Sequence, residues 1–273
     1  MAKNRNVGRD VKPRPDHVYV HAIVSGRPTP RALSRLPMLP DGSPPRSVAL
    51  ADDMSLVVAD VPSETYNAAT LEAKLGDLDW VSQCGAAHHA VADALVASHV
   101  VLPFRIFTLF SSEAKAVATL RKSKARILEA LARVKGRQEW VLRIGRPDLA
   151  RHDSPPDRPR RQHTPDSKSG TGFLQAKAEA RQAQAQRRAR VAGDVAKVFE
   201  TLRDASDEAT VRPIAPGTTL LLEAAFLLPQ RRVTELRRAL TKTAANLLRE
   251  GCAVSLTGPW PPYSFASLDK TNG

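Results

Sequence analysis

The side chains of this sequence that could take part in chemistry begin with its histidines. His17 and His21 are an even number of positions apart in an apolar run, so they lie on one face of a predicted strand. His88 and His89 are adjacent on a predicted helix that also contains His99, and adjacent helical residues point about 100° apart. Neither group has a third ligand or a carboxylate at a supporting spacing. We therefore interpret these histidines as structural or solvent-exposed rather than metal-binding or catalytic.

The sequence offers little else from which an active site could be built. Gly170-Thr171-Gly172 precedes a predicted helix, but it lacks the third glycine and the lysine of a phosphate-binding loop, so we interpret it as the start of that helix. The sequence contains no Gly-x-Ser-x-Gly and no His-Glu-x-x-His. We predict a protein without enzymatic activity, catalytic residues, cofactor or metal, although the fold alone does not exclude an unknown enzyme.

Positive charge is a strong compositional signal. The 273 residues include 41 Lys and Arg against 28 Asp and Glu, which gives a net charge of +13 and an attraction to acidic surfaces. Arginines are concentrated in Pro155–Arg161 and at Arg187, Arg188 and Arg190, where they could contact phosphates. The aromatic residues or recognition helix of a nucleic-acid-binding protein are not visible beside them. A basic nucleic-acid-binding regulator is therefore the alternative hypothesis, and a solvated charged surface is the preferred interpretation.

Cysteine content and hydropathy indicate the cellular compartment of the protein. Cys84 and Cys252 lie far apart and have no partners at zinc-binding spacings, so the sequence predicts neither a disulfide framework nor a metal cluster. Met1–Asp16 is polar and lacks the apolar core of a secretory signal. The longest apolar run, Leu220–Leu228, is shorter than the roughly 20 residues of a membrane span. We expect a cytoplasmic protein that does not enter a membrane.

The most unusual string is Gly258-Pro259-Trp260-Pro261-Pro262-Tyr263-Ser264-Phe265, near the C-terminus. Because proline has no N–H group, we expect the backbone to leave the sheet after about Thr257 in polyproline-like form. Two interpretations are open. The arm packs its aromatic rings over its own domain, or it presents them to a partner, because a preformed polyproline backbone loses little entropy on docking.

Hydrophobic periodicity predicts the elements that position these residues. In the first half, strands are predicted at His17–Val24, Ser47–Ala51, Met54–Val61 and Val100–Phe107, and a helix at Glu64–His99 with an interruption near Gly76. Pro103 should lie at a sheet edge or a bulge, because it has no N–H group to donate. A helix over residues 111–135 is predicted to connect the two domains.

The second half is predicted to alternate in the order strand, helix, strand, strand, helix, strand. The predicted elements are Gln138–Ile144, Phe173–Ala205, Thr210–Ile214, Thr218–Leu228, Gln230–Glu250 and Cys252–Thr257. This is the β-α-β-β-α-β order of a ferredoxin-like split β-α-β unit, and the first half is a degraded version of it.

We therefore predict an α+β protein of two ferredoxin-like sheet domains joined by a helix and followed by a Pro/aromatic tail. The predicted divisions are a disordered tail at residues 1–16, an N-terminal domain at 17–110, the connecting helix at 111–135, a C-terminal domain at 136–265 with a disordered Pro/Arg-rich insertion at about 146–169, and a tail at 266–273.

Four strings in order resemble the gas vesicle protein F/L (GvpF/GvpL) family. They are Leu102–Arg105, Gly136–Trp140, Ser169–Leu174 and the closing string from Gly258 to Phe265. The resemblance covers about Val18 to Phe265. It departs from the family pattern at Phe104, at Ile106-Phe107 and at Val141, where Met, Phe-Gly and Gly are common. The missing glycine predicts a somewhat different backbone turn after Arg105.

The resemblance implies a non-enzymatic accessory or minor structural protein of gas vesicle assembly. Its implied partners are the small hydrophobic shell protein and other gas vesicle accessory proteins, with no specific nucleic acid, membrane, small-molecule substrate or cofactor. It implies a cytoplasmic location in association with gas vesicles. The residues that the motifs mark as contacts or fold keystones are Pro103, Phe104, Arg105, Glu139, Trp140, Gly170, Phe173, Gly258, Pro259, Trp260, Pro261, Pro262, Tyr263 and Phe265.

Overall fold

Two compact units make up the chain. A computed structural model describes residues 17–146 and 170–266. Unit 1 comprises Met1–Gly136 together with Pro261–Gly273, and unit 2 comprises Arg137–Trp260. Three predicted segments lie outside the described residues. They are the disordered tail at 1–16, the insertion at 146–169 except for its first residue, and the tail at 266–273 except for its first residue.

Unit 1 is built on an antiparallel sheet whose central strand is buried on both faces. Its strands are β1 (His17–Ser25), β2 (Arg46–Ala51), β3 (Met54–Val61), β4 (Val101–Pro103) and β5 (Leu109–Phe110). The order is β2-β3-β1-β4, and β5 also pairs with β1. Every residue of β1 from Val18 to Val24 is buried. Since successive side chains of a strand point to opposite faces, the sheet must be covered on both sides.

Five helices lie in the described part of unit 1, and the longest of them packs on one face of the sheet. They are α1 (Pro30–Leu33), α2 (Ala68–Lys74), α3 (Leu78–Val96), α4 (Glu113–Arg121) and α5 (Lys124–Val134). Asn67 and Asp77 cap α2 and α3 by accepting backbone N–H bonds. The buried stripe of α3 packs with Tyr19, Ala22 and Val24 of β1. Helices α4 and α5 also contact the sheet.

The structure differs from the prediction of a single connecting helix at 111–135. Lys122 and Ser123 separate α4 from α5, and Ser123 leaves helical geometry with φ −101° and ψ 17°. Each helix buries its own apolar residues: Ala116 and Leu120 in α4, and Ile127, Ala130, Leu131 and Val134 in α5. Because this burial is part of the unit 1 core, the segment is not a connector but an integral part of that unit.

Strand β4 is shorter than the predicted strand at 100–107. It ends at Pro103, which lies on the edge strand of the β2-β3-β1-β4 path, as expected for a residue without an N–H group. Phe107 then adopts φ +64°, the left-handed conformation that glycine favours. Its ring stacks on Trp80 with centroids 5.5 Å apart and planes 2° apart, and this contact offsets the conformational cost.

Unit 2 has the element order β-α-β-β-α-β around a four-stranded antiparallel sheet, with the second helical position divided into two helices. Its elements are β6 (Arg137–Gly145), α6 (Gly170–Asp204), β7 (Glu208–Val211), β8 (Leu220–Pro229), α7 (Val233–Thr243), α8 (Ala245–Arg249) and β9 (Ala253–Trp260). The strand order is β7-β8-β6-β9. The residues of β6 and β8 that face the helices form the core with Val198, Leu202, Leu236 and Leu247. The chain is therefore a mixed α+β protein with two antiparallel sheets.

Several predicted boundaries in unit 2 shift. The predicted helix at 230–250 breaks at Ala244, which is buried in the core and separates α7 from α8. The strand predicted at 210–214 lies earlier, at Glu208–Val211, where it pairs with β8. Helix α6 begins at Gly170, three residues before the predicted start at Phe173.

Strand β9 does not end near Thr257 as predicted but continues to Trp260, which pairs with Glu139. Pro259 is tolerated because β9 is an edge strand, and the Gly258–Pro259 peptide bond is cis. Gly258 has φ +148°, and a Cβ atom there would lie 2.9 Å from the Glu139 carbonyl oxygen and from the Trp140 ring. Only glycine lets these two strands approach so closely.

The conformation of Phe107 predicts an unusual order of stability. Phe107→Gly removes the ring but relieves the left-handed strain, whereas Phe107→Ala removes the ring and keeps the strain. We expect the glycine variant to be more stable by about 1 kcal/mol in urea unfolding.

Phe110 is the matched control for this prediction, because it is half-buried and lies in strand β5. In an ordinary strand alanine is more stable than glycine by about 0.5–1 kcal/mol, so the order should reverse at position 110. Alanine above glycine at both positions would contradict the assignment of strain to Phe107.

Candidate functional site

The loop at residues 104–108 is held at both ends by hydrogen bonds within unit 1. The Phe104 N–H donates to the His21 carbonyl oxygen (2.9 Å), and the Val20 N–H donates to the Thr108 carbonyl oxygen (2.9 Å). The Thr108 hydroxyl donates to the Arg105 carbonyl oxygen at 2.8 Å. Arg105 and Ile106 are exposed at the tip of this loop. Of the predicted LPFR motif, Pro103 is thus buried, Phe104 half-buried and Arg105 exposed.

Behind the loop lies a buried cluster of tyrosine and histidine rings. The Tyr19 hydroxyl lies 2.8 Å from His88 Nδ1, and His88 Nε2 lies 2.9 Å from the Phe104 carbonyl oxygen. Since the carbonyl only accepts, Nε2 carries the proton and Nδ1 accepts from Tyr19. The Phe107 N–H in turn donates to the Tyr19 hydroxyl at 3.2 Å. These bonds hold the loop at two of its residues.

His21 completes this cluster in an apolar setting. It is fully buried, its ring stacks on His88 with centroids 5.4 Å apart, and neither of its ring nitrogens has a hydrogen-bond partner among the described residues. Burial lowers the pKa of His21 to about 3, and the neighbouring His88 adds to this effect. Burial also lowers the pKa of His88, against the opposing hydrogen bond to Phe104. Burial raises the pKa of Tyr19.

This histidine arrangement was only partly anticipated from the sequence. A structural role for His21 and His88 agrees with the interpretation above, but their contact was not predicted. It joins a strand to a helix across 67 positions of sequence, and no spacing rule reports such a contact. In the part of the chain that the structure describes, no group of three His, Cys, Asp or Glu side chains is arranged to hold a metal ion.

The segment from Pro261 to Ala266 packs against unit 1, of which it is a part. Pro261, Pro262 and Phe265 are buried. The Tyr263 ring lies 6.1 Å from the His88 ring and 6.2 Å from the His89 ring. Arg133 of α5 donates a hydrogen bond to the Phe265 carbonyl oxygen. For residues 261–266, the structure agrees with the first of the two interpretations of the C-terminal arm, in which its aromatic rings pack on the protein itself.

The preceding residues of the same motif are exposed in unit 2. Pro259 is exposed and 36% of the Trp260 surface is accessible, at the edge formed by β9. The Trp260 indole N–H donates to the Thr257 hydroxyl at 3.1 Å, which fixes the orientation of the ring. The closing string is therefore divided between an exposed edge and a buried anchor.

Glu139 and Trp140 are buried on opposite faces of β6. Trp140 faces the helices, where the Arg237 guanidinium lies 4.8 Å from its ring centroid. Glu139 is fully buried and pairs with Arg212 at 2.6 Å. Arg212 also contacts Glu223 at 3.0 Å. Both motif residues thus have structural partners within unit 2.

Glu223 extends this ion-pair network towards solvent. Arg143 contacts its carboxylate at 3.2 Å, with 44% of the Arg143 side chain exposed. Burial acts to raise the pKa of Glu223, but the hydrogen bonds and positive charges of Arg143 and Arg212 outweigh this effect and lower the pKa. The Glu223 carboxylate is therefore charged at neutral pH.

Helix α6 borders a groove that the sequence analysis did not predict. The groove has a volume of about 730 Å³ and is lined by Arg146, Gln184, Arg187, Arg188, Val191, Ala192, Val195, Ala196, Phe199, Val211, Leu221 and Leu222. The sequence signal that could have indicated it is the thin apolar stripe of Val191, Val195 and Phe199 within the predicted helix. Gly170 and Phe173 lie in the first turn of α6, and the side chain of Phe173 lies outside the described residues.

Comparison with known proteins decides the family. The model of the gas vesicle synthesis protein GvpL/GvpF family matches residues 17–267. The chain belongs to this family. The resemblance inferred from the four sequence strings is thereby confirmed, and membership in the GvpL/GvpF family supports an accessory role in gas vesicles.

Similar proteins agree with the GvpL/GvpF assignment. Gas vesicle protein L of Streptomyces sp. (strain CB03234) is 29% identical over 235 residues, which cover 83% of this chain and 85% of that protein. The crystal structure of GvpF from Anabaena sp. PCC7120 matches with a TM-score of 0.63 and 17% identity, covering 92% of this chain and 96% of that one. GvpF from Microcystis aeruginosa matches with a TM-score of 0.61 and 15% identity, covering 92% and 99%. At these identities the two structures establish the shared α+β fold.

The nucleic-acid-binding alternative receives no support from these comparisons with the GvpL/GvpF family. Its arginine-rich run at Pro155–Arg161 lies outside the described residues. Arg187 is engaged within unit 2, where it donates to the Glu250 side chain at 2.7 Å and to the Glu250 carbonyl oxygen at 2.9 Å. Within the described ranges, no helix has both the length and the hydropathy that a membrane span requires.

The buried imidazole of His21 predicts acid sensitivity. Its pKa is about 3 in the folded state and about 6.5 in the unfolded chain, so the unfolded state binds more protons between these pH values. The contribution of His21 to stability is present above pH 6.5 and is lost as the pH falls towards 3. Between pH 6.5 and 4, the free energy of unfolding in urea should fall by about 3 kcal/mol less in His21→Leu than in the wild type. The same fall in both proteins would contradict this assignment.

The ion pair in unit 2 predicts unequal costs for two arginines. Arg212→Met leaves the buried Glu139 carboxylate without its closest guanidinium, and we expect a loss of about 3 kcal/mol in urea unfolding. Arg143→Met, the matched control, breaks only an exposed pair with Glu223 and should cost less than about 1 kcal/mol. Equal losses for both variants would show that Glu139 does not depend on Arg212.

Proposed function

We propose that this protein is a non-enzymatic accessory protein of gas vesicle assembly that binds the hydrophobic shell protein and other accessory proteins in the cytoplasm. The observation that carries the proposal is the family match across residues 17–267. A subunit that assembles into a water-excluding wall exposes apolar surface before assembly. A protein that covers this surface reversibly would keep the subunit from aggregating, and this task requires binding rather than catalysis.

We assign the contacts to those motif residues that are exposed. In unit 1 these are Arg105 and the neighbouring Ile106, at the tip of a loop fixed by hydrogen bonds. In unit 2 they are Pro259 and Trp260, on the edge strand β9. An edge strand can accept an extended segment of a partner by backbone pairing, and an exposed tryptophan is a frequent anchor in protein interfaces.

The buried motif residues serve the fold in this proposal. Glu139 forms the ion pair with Arg212, Trp140 packs in the core, and Gly258 permits the close approach of β9 to β6. Phe265 anchors the C-terminal segment within unit 1. Substitution at these positions should reduce binding only through loss of folded protein.

We also propose that the two units are ferredoxin-like domains. The β-α-β-β-α-β order of unit 2 and its strand order β7-β8-β6-β9 support this assignment. Unit 1 has the corresponding order β2-β3-β1-β4, with α4, α5 and β5 as additions to the pattern.

The proposal predicts loss of vesicles when the gene is deleted from a vesicle-forming cell. Wild-type protein should restore them and should co-purify with the shell protein. Trp260→Ala should lower this co-purification about tenfold, because an interface tryptophan commonly contributes more than 1 kcal/mol. Normal vesicle yield in the deletion strain would contradict the proposal.

Leu78→Ala provides the matched control for Trp260→Ala. Leu78 is 76% exposed at the start of α3 and is not among the motif residues, so its truncation should leave co-purification within about twofold of wild type. An equal loss for both variants would point to general hydrophobic adhesion rather than a specific contact. Circular dichroism melts of both variants would establish that they fold.

A further inference from the structure

The groove beside α6 is an uncovered part of the unit 2 core. Val211 of β7 pairs with Ala224 of β8, and directly opposed residues of a sheet point to the same face. Ala224 is fully buried in the core on the helix side. Val211 therefore also points to the helix side, yet 52% of its surface is exposed. The helices on this side of the sheet therefore leave Val211, on the edge strand β7, only partly covered.

The groove has an apolar floor along most of its length. Val195, Phe199 and Leu221 pack against the core but are only partly buried, and together with Val211 they line the groove as its apolar strip. The lining residues of α6 run from Gln184 to Phe199, which corresponds to about 22 Å of helix. This length matches about four turns of a second helix lying alongside.

One end of the groove is positively charged. Arg187 and Arg188 lie at the N-terminal end of the lining stripe of α6, while Phe199 lies at its other end. Arg146 follows β6, and its N–H donates to the Thr219 carbonyl oxygen at 2.6 Å, just before the start of β8. Among the described residues, those that line the groove include these three arginines and no carboxylate. Arg187 is paired with Glu250, whereas Arg146 and Arg188 are exposed.

From this combination we infer that the α6 groove binds an amphipathic helix of another protein, one with an apolar face and acidic residues at one end. The apolar strip supplies the area that such a helix buries, and the arginines select a partner with negative charge. A second copy of this chain is a poor match, because its net charge is +13. The inference deepens the proposed function, on which it rests, by giving unit 2 a second type of contact in addition to the β9 edge.

A designed peptide tests the inference on the full chain. The probe is an 18-residue fluorescent helical peptide with leucines at every third or fourth position and three glutamates at one end. Its comparison peptide has lysines in place of the glutamates. Fluorescence anisotropy should show saturable binding of the acidic peptide and at least about tenfold weaker binding of the basic one. Equal binding of the two peptides would overturn the inference.

Matched variants locate the binding. Val211→Asp should weaken the acidic peptide about tenfold, whereas Leu248→Asp, at a residue of the same unit that is 56% exposed and outside the groove, should change it by less than about twofold. Arg188→Glu should weaken the acidic peptide about tenfold and strengthen the basic one. Arg190→Glu, at an exposed residue of the same helix that does not line the groove, should have little effect on either.

Other occupants give distinct results. Binding of dodecanoate, abolished by Val211→Asp and accompanied by no peptide binding, would identify a small-molecule site and overturn the inference. A dimer in light scattering that Val211→Asp abolishes would also overturn the inference. So would cross-links from a photoreactive residue at position 211 that reach only residues 147–169 of the same chain. Failure of the peptide test with loss of vesicles on deletion would reject the groove and leave the proposed function intact.

Discussion

Each unit of this protein is constrained by a central strand that is buried on both faces over several consecutive residues, 18–24 in β1 and 139–142 in β6. Such a strand cannot carry a polar group unless the fold provides a partner or keeps the group neutral. Strand β1 solves this with neutral rings: Tyr19 bonds to His88, and His21 remains uncharged in an apolar environment. Strand β6 solves it with charge, because the Glu139 carboxylate is buried against Arg212. The two units share a strand order but stabilise their polar groups in opposite ways.

The same constraint explains why the family strings are informative about the fold. Gly258 is required because strands β6 and β9 approach until no Cβ atom fits beside Trp140. Pro103 and Pro259 lie on edge strands, where a missing N–H group breaks no internal ladder. Phe265 and Tyr263 fix the returning chain against unit 1. Most of these positions therefore specify backbone geometry and packing. Among the motif residues whose burial the structure describes, Arg105, Pro259 and Trp260 are the exposed ones.

Local periodicity predicted most strands and helices, because burial of one face leaves a pattern in the sequence. It failed where the outcome depends on distant residues. The break between α4 and α5 occurs because each helix buries its own stripe on the sheet. Strand β9 continues beyond its predicted end at Thr257 because Trp260 pairs with Glu139, which is 121 positions away in sequence. The contact of His21 with His88 and the groove beside α6 arise only when a strand and a helix come together, so neither has a sequence signature of its own.

The positions of the positive charges indicate more about possible partners than the net charge of the chain does. An excess of arginine would attract any acidic surface, and such attraction is weak and screened by salt. In unit 2 several arginines are already engaged: Arg212 with Glu139, Arg143 with Glu223, and Arg187 with Glu250. These pairs stabilise the fold and leave less charge for partners. Arg146 and Arg188 are exposed beside the apolar surface of the groove, where a bound partner would exclude water and strengthen each charge interaction. Selectivity at this surface would therefore depend on the combination of an apolar floor and two charges, and not on the net charge of the chain.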